Sequence, residues 1–171
     1  MIMQNRAKLE NGGGEIGGSS GTPAATIAPV NERDAICLVD DFEHLRLAKE
    51  RWTHEAHLVV CRDVLQRLGP AEALDHLRVA IRAYNESTGT ANTDTGGYHE
   101  TLTAYYVGAV HAAGRMSLDE LVDLPACTRT APLAHWSRTR LFTVEARRAW
   151  VAPDLDPITW WSPPVAQPTG G

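Results

Sequence analysis

The sequence has no apolar run approaching the ~20 residues that a membrane helix requires, and its start shows no charged stretch followed by an apolar core of the secretory kind. A cytoplasmic protein that makes no membrane contact is therefore expected. The chain also lacks a basic excess: Lys plus Arg number 16 against 21 Asp plus Glu, a formal net charge of -5. A general nucleic-acid partner is not expected from such a balance. Cysteine is scarce, with Cys37, Cys61 and Cys127 isolated and odd in number. That pattern fits reduced thiols better than a disulfide framework, and Cys37 and Cys61, in apolar surroundings, read as core fillers. No Gly-x-Ser-x-Gly elbow is present. The glycines of "NGGGEIGGSSG" follow no strand, so they fail the context test for a phosphate loop. No internal repeat occurs, and no segment alternates at period two.

What remains is helical. With 171 residues, 43% hydrophobic and 22% charged, the chain is long enough for one domain with a sizeable core. Residues 1–30, rich in Gly, Ser and Pro, read as a disordered tail. Residues 31–156 read as the helical domain and 157–171 as a mostly irregular tail, in which Trp160 and Trp161 are expected to pack back onto the domain. A first helix is expected from about Glu32 to Leu47, with Ile36, Leu38, Val39, Phe42 and Leu45 on its apolar side. Thr53 suits the N-cap of a second helix, which stops at Gly69-Pro70, where a third begins. Leu74, Leu77, Ile81 and Tyr84 form the stripe of that third helix, and Asn85–Gly97 reads as a long loop. A fourth helix is expected from near Tyr98 to about Arg115. Ser117 and Glu120 have the spacing of a capping box for a short fifth, and Thr143 suits the cap of a further turn running to Trp150. The expected class is all-α: a single-domain bundle of four to five helices with disordered N-terminal and C-terminal tails.

Seven histidines occur, and three of them stand at helix starts. His54 and His57, in "RWTHEAHL", lie three apart, so on a helix they point about 60° apart and can converge. The zinc motif H-E-x-x-H needs a spacing of four and is therefore rejected, but the three-residue pair remains a competent half-site. "GYHET" supplies His99 and Glu100 at another helix start. An up-down-up order of the second, third and fourth helices brings both starts to one end of the bundle, beneath the Asn85–Gly97 loop. On this reading His54, His57, His99 and Glu100 ligate a divalent metal, and nitrogen and oxygen donors without thiolate point to zinc, iron or manganese. Glu100 and His99 are also the expected acid/base groups, with Tyr98 as a proton donor. Asn92 and Thr93 of the loop, with Arg138 and Arg140 of the basic stretch that also holds Arg147 and Arg148, are the expected substrate contacts. Helix N-termini disfavour a cation and favour an anion, which points to a small, anionic substrate.

Three blocks in order, "WTHEAHL", "AIRAYNESTGTANTDTGGYHET" and "WSRTRLFTVEARRAWVAPDL", resemble an uncharacterised family of small bacterial helical proteins. The resemblance spans roughly Phe42 to Leu155 and places Ser137, Arg147, Trp150 and Asp154 within the domain. It implies no activity, cofactor or substrate. The expected function is a small metal-dependent enzyme of the hydrolase, lyase or non-haem iron type, acting on a small molecule. The alternatives are a metal-free His/Glu acid-base enzyme and a non-enzymatic module that binds a small ligand or a partner.

Overall fold

The computed structural model describes residues 32–163, and the first expected tail and most of the second lie outside that range. The class is all-α. Four longer helices, α1 (Glu32–Glu43), α2 (His54–Leu68), α3 (Pro70–Ser87) and α4 (Glu100–Ala113), are followed by α5 (Leu118–Asp123), α6 (Arg138–Leu141) and α7 (Val144–Arg148), with three 3-10 turns between elements. Helices α2, α3 and α4 pack on one another, α1 lies on α2, and α7 lies against α4.

The caps follow the local chemistry. Thr53 Oγ1 accepts from the Ala56 N–H at the start of α2, and Thr143 Oγ1 accepts from the Ala146 N–H at the start of α7. Ser117 and Glu120 form the full capping box of α5. At the end of α2, Gly69 takes φ +77°, a left-handed conformation that stops the helix and lets Pro70 open the next.

Three boundaries differ from expectation. Helix α1 ends at Glu43, short of Leu47. Leu45 adopts φ +57°, and the Leu47 N–H turns back to the Asp41 carbonyl at 3.0 Å. The face that α1 buries carries Ala35, Leu38, Val39 and Phe42, whereas Ile36 is 68% exposed and Cys37 is exposed, so neither belongs to the core. Helix α3 continues through Asn85, Glu86 and Ser87, which shortens the following loop. Tyr98 and His99 precede α4, with His99 as its N-cap.

The loop before α4 is folded around Asn92. Its Oδ1 accepts from the Tyr98 N–H at 3.0 Å and from Asn85 Nδ2 at 2.9 Å, while its Nδ2 donates to the Arg82 carbonyl at 3.1 Å. Gly97 crosses this loop at φ +75°, where a Cβ would stand 2.5 Å from the Ala91 carbonyl oxygen and 2.8 Å from Asn92 Cα. Only glycine fits there.

The segment after α5 closes over the N-terminal end of α4. Trp136 is fully buried, and its Nε1 donates to the Val151 carbonyl at 3.1 Å. Thr101 Oγ1 donates to the Ala149 carbonyl at 2.8 Å and accepts from the Val151 N–H at 3.2 Å. Trp161 lies so close to Gly108 of α4 that a Cβ there would clash with the indole. The expected return of the C-terminal tryptophans is thus seen for Trp161, while Trp160 lies against the Tyr105 ring at 5.7 Å.

Candidate functional site

The N-terminal halves of α2 and α4 face one pocket. Its space, together with the part that opens to solvent, is about 740 Å³. One wall comes from Trp52, His54, His57 and Cys61. The opposite wall comes from Tyr98, His99, Leu102 and Tyr106. Leu77 and Ile81 of α3 close one side, and Phe142 and Arg147 from the α6–α7 segment close another. The histidine convergence inferred from helix order is present: His54, His57 and His99 all line this cavity.

The three imidazoles have different hydrogen-bond states. His54 Nε2 donates to the Cys127 carbonyl at 2.6 Å, 73 residues along the chain. Its Nδ1 is buried and has no partner. His57 Nδ1 donates to the Thr53 carbonyl at 2.6 Å, one helical turn back. That bond leaves Nε2 as the bare nitrogen of an uncharged ring. The His57 ring lies 3.8 Å from Trp52, centroid to centroid, and burial lowers its pKa from 6.5 to about 3. His99 uses both nitrogens. Its Nε2 donates to the Leu141 carbonyl at 3.0 Å, and its Nδ1 accepts from the Leu102 N–H at 3.3 Å as the cap of α4. Burial, then the nearby Arg147 charge, lower its pKa to about 4.

Glu100 does not take part in this wall. It is 5% exposed and turns towards α3, where Arg78 Nε donates to Oε1 at 2.9 Å and Arg78 Nη2 donates to the same oxygen. Tyr98 O–H donates to Oε2 at 2.8 Å. Both carboxylate oxygens are therefore committed. Burial, then the Glu100 charge, push the Tyr98 phenol up, and the Arg82 guanidinium stacks 3.8 Å above its ring. A phenol that already donates to a carboxylate has no proton free for a substrate.

These facts bear directly on the expected metal centre. With His99 satisfied at both nitrogens and Glu100 held by Arg78 and Tyr98, the four expected ligands do not form a set. Among the described residues, no group of three or more His, Cys, Asp or Glu side chains is arranged to hold a metal ion. The donor set does not fit a zinc, iron or manganese centre of the expected kind. The expected substrate contacts also lie elsewhere. Asn92 organises the loop, Thr93 Oγ1 accepts from the Thr95 and Gly96 N–H groups, Arg140 pairs with Glu145 at 3.1 Å, and Arg138 is exposed on α6. None of the four lines the pocket.

Arg147 is the charged residue that does. Its Nη1 donates to the Gly97 and Tyr98 carbonyls at 3.3 and 3.0 Å, which ties α7 to the loop before α4. In sequence it stands in a basic stretch, and its long-range bonds to Gly97 and Tyr98 set it apart from its neighbours. Cys61 also lines the cavity, but burial raises its thiol far above the usual range, and Cys127 behind it is pushed up to about 11. Neither is a thiolate at neutral pH.

Fold and site together describe an all-α protein with a largely apolar pocket lined by three imidazoles and one guanidinium. No family model matches the chain, and neither a curated protein nor a solved structure does.

Proposed function

We propose that the protein works through the pocket between α2 and α4, as a metal-free site for a small, largely apolar molecule that donates a hydrogen bond to His57. The observation that carries this reading is the unused ring nitrogen of His57. Each imidazole has its tautomer fixed by a backbone carbonyl, Thr53 for His57 and Cys127 for His54, and both rings line the pocket, but His54 Nδ1 is sealed from solvent whereas His57 Nε2 is not among the sealed atoms. A hydrogen-bond acceptor in a largely apolar pocket is met more strongly by a ligand N–H or O–H than the same acceptor in bulk water. Pockets of this kind, apolar with a few convergent polar groups, are the usual form of small-molecule sites.

A metal-dependent enzyme needs further ligands that His99 and Glu100 are not free to supply. An acid-base enzyme would use His57 as its base, but a group with a pKa of about 3 is a weak base at neutral pH. The same low value keeps the lone pair available as a hydrogen-bond acceptor. Binding is therefore favoured over proton transfer.

The test is titration calorimetry on chelator-treated protein with 4-ethylphenol and its methyl ether. The phenol is expected to bind with one-to-one stoichiometry and about tenfold more tightly than the ether, the range for one hydrogen bond in a dry site. His57→Ala is expected to erase that difference. Equal binding of phenol and ether, or binding that depends on added zinc, iron or manganese, would overturn the reading.

A further inference from the structure

Arg147 is partly buried and lines the pocket without a carboxylate partner. No Asp or Glu of the described residues lies within ion-pair distance of it, although its neighbours are paired: Arg140 with Glu145 and Arg148 with Asp94. The carboxylate that acts on it from a distance is Asp94. That group is held by Arg148, whose Nε and Nη2 donate to its two oxygens, each at 2.8 Å. Two neutral carbonyls occupy Arg147 Nη1, and its Nε and Nη2 make no hydrogen bond among the described residues. A guanidinium in that state has one edge open, which matches a single planar carboxylate. No acidic side chain lines the pocket.

We infer that the ligand of this pocket is an amphiphilic monocarboxylic acid: its carboxylate meets Arg147, its apolar body fills the space between α2 and α4, and an O–H or N–H at its far end reaches the His57 nitrogen. This rests on the pocket being the functional site. The chemistry excludes two neighbouring classes. A ligand ammonium would meet the Arg147 cation with no carboxylate to offset it. A phosphate dianion needs more donors than one half-used guanidinium offers, since His57 is uncharged and His99 is satisfied. The two polar ends belong to different elements, Arg147 to α7, where it bonds to the Tyr98 carbonyl, and His57 to α2, where its ring lies on Trp52. A molecule that uses both reaches from α2 to α7.

The experiment uses the full chain and four probes of one shape at pH 7.5: 3-(4-hydroxyphenyl)propionate, its primary amide, 3-phenylpropionate and tyramine. Calorimetry is expected to rank the hydroxy acid first, about tenfold above the amide, with 3-phenylpropionate weakened by a similar factor and tyramine weakest. Arg147→Gln is expected to bring acid and amide to equal affinity. Arg147→Lys keeps the charge and is expected to retain part of the preference, and it guards against loss of the Gly97 tether being mistaken for loss of the anchor. If acid and amide bind the native protein alike while both outbind 3-phenylpropionate, the carboxylate inference falls and the pocket reading stands. If no probe binds, both fall.

Discussion

Two adjacent residues, His99 and Glu100, begin two regions of opposite character. On the pocket side, His54 and His57 leave ring nitrogens unused against apolar neighbours. On the α3 side, Glu100 has every strong acceptor position taken by Arg78 and Tyr98. Both regions are buried, and both contain ionisable groups. They differ in whether the groups have found partners within the fold. A saturated buried ion pair holds helices in place, and a polar atom left unsaturated in a cavity awaits something from outside. Residue type alone would have put the glutamate, the strongest acid in the neighbourhood, at the centre of the chemistry. Partnering assigns it to the scaffold.

The largest expected effect follows from breaking the saturated side. Glu100→Ala leaves the Arg78 guanidinium, whose side chain is 19% exposed, without its main partner. The remaining Asp75 carboxylate is 73% exposed and a poor substitute. Removing one member of a buried pair costs about 3–5 kcal/mol, and Arg78 here is close enough to solvent for the lower end. Calorimetric unfolding should show a loss of ~3 kcal/mol, with phenol binding per folded molecule unchanged. A selective loss of binding at unchanged stability would reverse the assignment of the two regions.

Acid titration comes next and acts on the pocket side. His57 and His99 have folded pKa values of about 3 and about 4, against 6.5 for the free ring. Below pH 6.5 the unfolded chain binds protons that the folded pocket refuses. Stability is therefore full above that pH and falls as pH drops towards 4, by up to ~1.4 kcal/mol per pH unit for each ring. Urea midpoints measured from pH 7 to 4 check this. In His57→Ala the slope should be roughly halved. A midpoint independent of pH across that window would mean that the two rings are hydrated.

Much of this fold was legible in the sequence, and the reason is local. The caps at Thr53, Ser117 and Thr143 are decided within one helical turn, and the alternation of α2, α3 and α4 follows from short connections. The meeting of His54, His57 and His99 could thus be inferred before any coordinates. What each ring does could not. The partners that fix the tautomers of His54 and His99 are backbone carbonyls 73 and 42 residues distant. A carbonyl leaves no mark in the residue pattern. The Arg78–Glu100 pair spans 22 residues between helices whose relative rotation periodicity does not set. The outward turn of Ile36 and Cys37 has the same origin, since the rotation of α1 against α2 and α3 decides which of its apolar residues are covered.

The smallest expected effect separates the buried pair from its surface counterpart. Arg148 and Asp94 form a bidentate pair with geometry as good as that of Arg78 and Glu100, but their side chains are 68% and 48% exposed. Solvent screens such a pair, and holding two long side chains in one geometry offsets what remains. Arg148→Ala should therefore change stability by less than ~1 kcal/mol, within reach of a careful thermal scan. Its second consequence is more informative. The substitution frees Asp94, the one carboxylate that acts electrostatically on Arg147. A freed Asp94 competes for the open edge of that guanidinium, so 3-(4-hydroxyphenyl)propionate should bind a few-fold less tightly while its amide is unaffected. Arg148→Ala with Asp94→Asn should restore the acid. Recovery in the double variant would tie the anion preference to the charge at Arg147, because neither Arg148 nor Asp94 lines the pocket.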